Sequence, residues 1–209
     1  MSEPALTARP TPEAAASTPL RAAAPERRPA LAASALSEVP GVMRIAPVQR
    51  RTRLILRGRA GEIGSAGSAL GLTMPVVSNH SASSSEADVL WLGPTEWLIL
   101  GEDGQADSFC RRIAAALAQV PHALVDVSHR QFGLSIAGAR GADVIAAGCP
   151  LDLRLSRFPA RSCSRTLYGK AEIILWRTAE DAFEAETTRA FAKYLFSMMQ
   201  EAAQDLGIV

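Results

Sequence analysis

Two stretches of this 209-residue chain repeat one another, and the repeat limits the possible folds more than any other feature. Leu54-Ile55-Leu56-Arg57-Gly58 is answered 80 positions later by Leu134-Ser135-Ile136-Ala137-Gly138. Leu92-Gly93-Pro94-Thr95-Glu96-Trp97-Leu98 is answered 76 positions later by Tyr168-Gly169-Lys170-Ala171-Glu172-Ile173-Ile174. Both hairpins put glycine just after the first strand and a glutamate at the start of the second. A pattern that recurs in register across two halves reads as one supersecondary unit used twice.

The elements around these anchors agree with a β-α-β-β-α unit. Arg51 to Gly58 reads as a strand with Leu54 and Leu56 on one face. A weak helix over 59–70 is burdened by Gly61, Gly64 and Gly67, and a Ser-rich loop covers 76–87. The hairpin follows. Phe109, Ile113, Ala116, Leu117 and Val120 then recur at helical spacing, and Ala123 to Val127 returns as a strand. In the second half, Phe132 to Ala137 is a strand and Gly138 to Gly148 a short helix with a glycine stop. Ser164 to Tyr168 and Glu172 to Trp176 form a hairpin, and Phe183 to Glu186 a short strand. Phe191, Tyr194, Leu195, Met198, Met199, Ala202 and Leu206 trace a closing amphipathic helix. The expected fold is α+β, with duplicated ferredoxin-like halves sharing one core.

Residues 1–40 are a different material. Ala, Pro, Ser and Thr dominate, and so few large apolar side chains cannot offset a backbone ordering cost of roughly 1–2 kcal/mol per residue. The expectation is a disordered Ala/Pro-rich arm, with Leu20, Leu31 and Leu36 as anchors where it meets a partner, and a folded domain over 41–209. Its arginines suggest an organellar leader, but Glu3, Glu13, Glu26 and Glu38 argue against one. In the whole chain 48% of residues are hydrophobic, 21% are charged and the net charge is +1, values of a soluble globular protein with no general pull toward nucleic acid or acidic membranes. Apart from Lys170 and Lys193 every basic residue is arginine, which suits protein interfaces and equally follows from a GC-rich genome. No apolar run approaches the roughly 18 residues of a membrane span, and no signal stretch opens the chain. The expected location is the cytoplasm.

The residues that could carry chemistry do not assemble into a site. Asp126, Ser128 and His129 suggest a nucleophile, yet along a strand 126 and 128 share a face while 129 points away. A turn held by Asp126 or Ser128 is the simpler role. His80 and His122 stand apart from each other and from any Cys, and Cys110, Cys149 and Cys163 lack metal spacing. Glu96 and Glu172 form a possible acid pair, although repeat symmetry puts them at two separated turns. Gly58, Gly61, Gly64 and Gly67 do not make the GxGxxG phosphate loop. Arg154, Arg157, Arg161 and Arg165 form a basic cluster that suits a carboxylate-rich ligand, RNA, a subunit contact or plain solvent. No catalytic, cofactor-binding or metal residue is assigned.

From about residue 50 onward the chain resembles the sarcosine oxidase gamma subunits. The resemblance rests on the hairpin Leu92-Gly93-Pro94-Thr95-Glu96-Trp97-Leu98, with Thr95 where the family has Asp, and on Val125-Asp126-Val127-Ser128. It continues through Cys149-Pro150-Leu151-Asp152-Leu153 and the helix Phe191-Ala192-Lys193-Tyr194-Leu195. Asp126-Val127-Ser128-His129 is also similar to the turn of the aminomethyltransferases, distant relatives of this family with an aminomethyltransferase-like, folate-binding-type fold. Those enzymes carry an Asp-Asp pair where this chain has Ala171-Glu172, and a displaced carboxylate spoils positioned catalysis.

The resemblance implies a non-catalytic subunit of a heterotetramer that demethylates sarcosine to glycine, produces hydrogen peroxide and passes the one-carbon unit to formaldehyde or tetrahydrofolate. It implies alpha, beta and delta subunits as partners, with FAD, FMN and NAD on the two larger ones, zinc on the smallest, and no cofactor on this chain. Two alternatives are a gamma-like subunit of a related N-methyl amino acid dehydrogenase and a stand-alone folate-binding aminomethyltransferase-like protein. A third is an RNA-binding module using the Arg cluster.

Overall fold

The computed structural model describes residues 30, 31, 36–49 and 51–208. The first strands are β1 (Ser37–Val39), β2 (Met43–Pro47) and β3 (Arg51–Arg57), followed by helix α1 (Gly64–Ala69). Next come β4 (Ser81–Ser83), β5 (Ala87–Gly93), β6 (Glu96–Glu102), helix α2 (Ala106–Ala116) and β7 (Ala123–Asp126). β8 (Gln131–Ala137), helix α3 (Gly141–Ala146), β9 (Cys163–Tyr168), β10 (Ala171–Ala179), β11 (Ala182–Thr188) and helix α4 (Ala192–Asp205) complete the chain. One sheet runs β1-β2-β8-β11-β10-β9 and the other β4-β5-β6-β3-β7, with every neighbouring pair antiparallel.

The register of the two sheets matches residue for residue. Leu54 on β3 lies opposite Ile99 on β6; Leu134 on β8 lies opposite Ala185 on β11, positions 80 and 86 further on. Trp91 faces Trp97 and Arg177 faces Phe183, and each pair is followed by a register shift, at Trp91/Gly93 and at Arg177/Ala179. The Gly93-Pro94-Thr95 hairpin therefore corresponds to the turn after Ala179, not to Gly169-Lys170. The latter joins β9 to β10 and has its counterpart between β4 and β5. Any tight turn can carry glycine, whereas register is set by strand pairing along the whole length.

Three strands lie where none was expected: β1, β2 and β4. β4 falls inside the Ser-rich loop, and Ser81 is occupied there: its hydroxyl donates to the Arg161 carbonyl at 2.9 Å and accepts from Trp176 Nε1 at 3.0 Å. β1 falls inside the segment read as an arm and pairs with β2 through a turn at Gly41, whose φ of +75° favours glycine. Leu31 packs half-buried against the core and Leu36 is exposed. Leu20 and the rest of the arm, residues 1–29 and 32–35, lie outside the described residues.

The buried side chains fall into three clusters where one shared core was expected. The first lies between α3, α4 and the outer face of their sheet, with Ile136, Phe183, Leu195 and Met199. The second lies under α1 and α2, with Leu54, Leu56, Phe109 and Ile113. The third sits between the sheets, with Leu90, Leu98, Leu100, Cys163, Ile174 and Trp176. A strand has two faces, so a sheet that packs helices on one side still presents the other. Here those second faces meet each other.

Candidate functional site

The alternation that sends Thr52, Leu54 and Leu56 toward the helices sends Arg51, Arg53 and Ile55 into the seam between the sheets. On β11, Phe183 and Ala185 join the helix-side core, so Glu184 and Glu186 face the same seam. The four charges meet there. Arg53 is 3% exposed and Glu186 2%. Nε of Arg53 donates to Oε2 at 2.7 Å and Nη2 donates to Oε1 at 3.0 Å, a bidentate fork. Arg51 donates through Nη2 to Glu186 Oε1 at 2.7 Å and also to Glu184. The seam is thus apolar at one end and ionic at the other.

The two carboxylates are tuned in opposite directions. Burial pushes both up. For Glu186 that push is outweighed by Arg51 and Arg53, which hold the carboxyl below its ordinary range. For Glu184 burial prevails over Arg51, and Glu186 and Asp88 add repulsion, so its carboxyl is raised. Arg51 feels burial as well, but Glu186 and Glu184 raise its basicity further. Beside Arg51 the seam opens into a groove of about 300 Å³ that Ser84, Asp88 and Glu102 also line. Among the described residues that line it, the one cation is Arg51, which already serves two acids.

The residues singled out in the sequence are placed as follows. Asp126 Oδ1 accepts from Ser128 N at 2.8 Å, and Ser128 Oγ accepts from Arg53 N at 2.8 Å; this is a turn that continues the β3 ladder. His129 is exposed. His80 and His122 each hold a nearby carbonyl, those of Ser78 and Val120. Glu96 and Glu172 are not at separated equivalent turns. Arg165 joins them, with Nη2 2.8 Å from Glu96 and Nε 3.5 Å from Glu172, and Arg57 adds a contact to Glu96 at 2.9 Å. The strand order brings β9 and β10 against β5 and β6, which the turn-based alignment did not foresee. Burial raises the Glu96 carboxyl, but Arg165 and then Arg57 lower it further, below its ordinary range.

The rest of the Arg cluster disperses. Arg154 pairs with its neighbour Asp152 and holds that carboxyl at about 2, while Arg157 and Arg161 are exposed. Among the described residues no group of three or more His, Cys, Asp and Glu is placed to hold a metal ion. Cys163 is buried, lies 3.4 Å from the carbonyls of His80 and Trp91, and its thiol is pushed up to about 12 by burial.

The sequence did carry a signal for the buried ion cluster. Arg at 51 and 53 and Glu at 184 and 186 are paired charges at strand spacing beside apolar runs, but nothing local says which strand faces which.

Two facing antiparallel sheets with helices outside them make a mixed α+β fold similar to that of an aminomethyltransferase. The glycine cleavage aminomethyltransferase T of Bartonella henselae superposes with a TM-score of 0.55 at 11% identity, over 74% of this chain and 44% of that one. Within that architecture the chain belongs to the sarcosine oxidase gamma subunit family, whose model matches residues 60–205. It is similar to the sarcosine oxidase subunit gamma of Corynebacterium sp. strain U-96, 28% identical over 181 residues that cover 84% of this chain and 87% of the relative. A chain of the heterotetrameric sarcosine oxidase from the same strain, solved with pyrrole 2-carboxylate, matches with a TM-score of 0.75 and 26% identity over 83% of this chain and 89% of that chain.

Proposed function

We propose that this chain is the gamma subunit of a heterotetrameric sarcosine oxidase and serves it as a scaffold that contributes no reacting group. The observation that carries the reading is the mutual neutralisation in the seam. The buried Glu186 is engaged by both Arg51 and Arg53 and the half-buried Glu184 by Arg51, and an acid held low by two guanidiniums, as Glu186 is, is a poor base at neutral pH. The chemistry belongs to the other subunits, alpha, beta and delta in this reading. There sarcosine is oxidised to glycine, oxygen takes the electrons and leaves as hydrogen peroxide, and the methyl carbon leaves as formaldehyde or methylene-tetrahydrofolate. FAD, FMN, NAD and zinc belong on those partners. The buried Cys163 and the isolated histidines do not supply a zinc donor set.

The two sheets are read as descendants of one duplicated ferredoxin-like unit. The shared register and the matching bulges support this.

Co-expression with the partner subunits tests the proposal. A stable complex forms, and the chain purified alone is flavin-free and inactive toward sarcosine. A chain that never co-purifies with them overturns the reading. Saturable tetrahydrofolate binding by the isolated chain, weakened in Glu172→Ala, would instead favour the stand-alone transferase that the architecture suggests.

A further inference from the structure

The two sheets match down to single hydrogen bonds, and the match exposes a missing strand. Val127 N donates to the Arg53 carbonyl at 2.8 Å, and Val48 N donates to the Gly133 carbonyl at 2.8 Å. Arg53 and Gly133 are equivalent positions on β3 and β8, so β7 and β2 are equivalent closing strands. Leu124 corresponds to Ile45 and His122 to Met43. On β2 the backbone of Ile45 and Met43 faces outward, and β1 pairs there, Ser37 with Ile45 and Val39 with Met43. On β7 the groups facing outward by the same alternation belong to His122, Leu124 and Asp126. Among the described residues no strand lies on that side.

The chain around β7 cannot provide its own cap. β1 reaches β2 through a tight turn closed by Val42 N to the Val39 carbonyl. β7 instead arrives from α2 through Val120-Pro121-His122, so no strand precedes it at hairpin distance. The edge also shows an apolar residue where its twin is covered. Val125 is 54% exposed, whereas the equivalent Ala46 is 7% exposed. An unpaired strand edge with an exposed β-branched residue is a template for a further strand.

We propose that the outer edge of β7, His122 to Asp126, accepts a short extended antiparallel segment from a partner subunit of the oxidase complex. The inference rests on the gamma-subunit reading. The incoming segment takes the place that β1 holds on β2, donating to and accepting from the Leu124 and His122 backbone. It sets an apolar side chain beside Val125 on the seam face.

Hydrogen exchange read residue by residue on the chain alone and in the complex tests this. The His122 and Leu124 amides exchange fast in the chain alone and slowly in the complex, while the Val125 and Val127 amides, which face β3, are protected in both. Leu124→Pro removes an outward N–H without touching the β3 ladder. It weakens assembly by about tenfold, the scale of one backbone hydrogen bond; Val125→Lys does the same without disturbing the backbone. A complex that assembles with the His122 and Leu124 amides still exchanging fast overturns the strand addition and leaves the gamma-subunit reading standing. No complex with the wild-type chain removes both. Protection in the chain alone also overturns the proposal: if it rises with concentration the occupant is a second copy, and if it is lost on deleting residues 1–29 the occupant is the chain's own segment.

Discussion

Gly133 stands where any side chain would meet Glu186. A Cβ at that position would lie 2.8 Å from Glu186 Oε1 and 3.2 Å from Nη2 of Arg53. The glycine on β8 therefore makes the room in which the buried fork between β3 and β11 closes. Gly133→Ala is expected to destabilise the fold by about 1–3 kcal/mol, the cost of overpacking, read as a lower denaturation midpoint in urea.

Breaking the fork from one side is worse than removing it from both. Arg53→Met leaves Glu186 buried with Arg51 as its remaining cation, and a loss of about 3–5 kcal/mol is expected. The double variant Arg53→Met, Glu186→Leu returns most of that, because two apolar side chains need no partners. A double-mutant cycle on urea unfolding measures the coupling; losses that simply add would show that the pair is not an energetic unit.

Acid should act through Glu186 and not through Glu184. Glu186 has a lowered folded pKa, so its contribution is present above 4.5, its ordinary value, and fades as pH falls through the folded pKa. Glu184 has a raised folded pKa, so it binds its proton more tightly when folded, and its ionisation costs stability as pH rises through that value. Glu186→Gln is expected to be less stable at neutral pH and to have a flatter acid limb than the wild type. Glu184→Gln keeps the acid limb. Melting temperatures measured from pH 3 to 7 separate the two.

Arg165 bridges the same two sheets from the solvent side, and its removal should matter little. It is over a third exposed, and pairs of that kind contribute about 0–1 kcal/mol. Arg165→Ala is expected to shift the urea midpoint by no more than that. A loss as large as that of Arg53→Met would mean that the rim, and not the buried fork, holds the sheets together.

The thiols should be quiet in the folded chain. Cys163 and Cys149 are buried, burial pushes the Cys163 thiol up to about 12, and burial raises the half-buried Cys110 as well. Titration with a thiol reagent at pH 7.5 is expected to show slow reaction at Cys110, with Cys149 and Cys163 reacting only on unfolding.

What could be read in advance was local. Leu54 and Leu56 sit on one face of a strand because alternation allows nothing else. Phe109 with Ile113 and Leu195 with Met199 mark helices by spacing alone, and all six side chains are buried. The bond from Ser128 N to Asp126 was readable for the same reason, since it spans two residues, whereas the bond of the Ser128 hydroxyl to Arg53 spans 75 and was not. The seam was not readable. Arg53 and Glu186 are 133 positions apart, and whether two charged strands face solvent or each other is decided by strand order. Strand order also undid the hairpin alignment, because Gly169-Lys170 and Gly93-Pro94 are both good turns and turn chemistry does not identify which strands follow.

The strand order has a consequence for how the polypeptide is made. β2 leaves the ribosome before any part of the β3–β7 sheet, yet its place is beside β8, beyond that entire sheet in the chain. With only β1 beside it, β2 must wait through the synthesis of about eighty residues before its second neighbour, β8, exists. Neither half can be excised as a module, because the later one borrows its last strand from ahead of the earlier one, and a nascent chain stalled before Gln131 would present that strand to whatever chaperone or subunit came first.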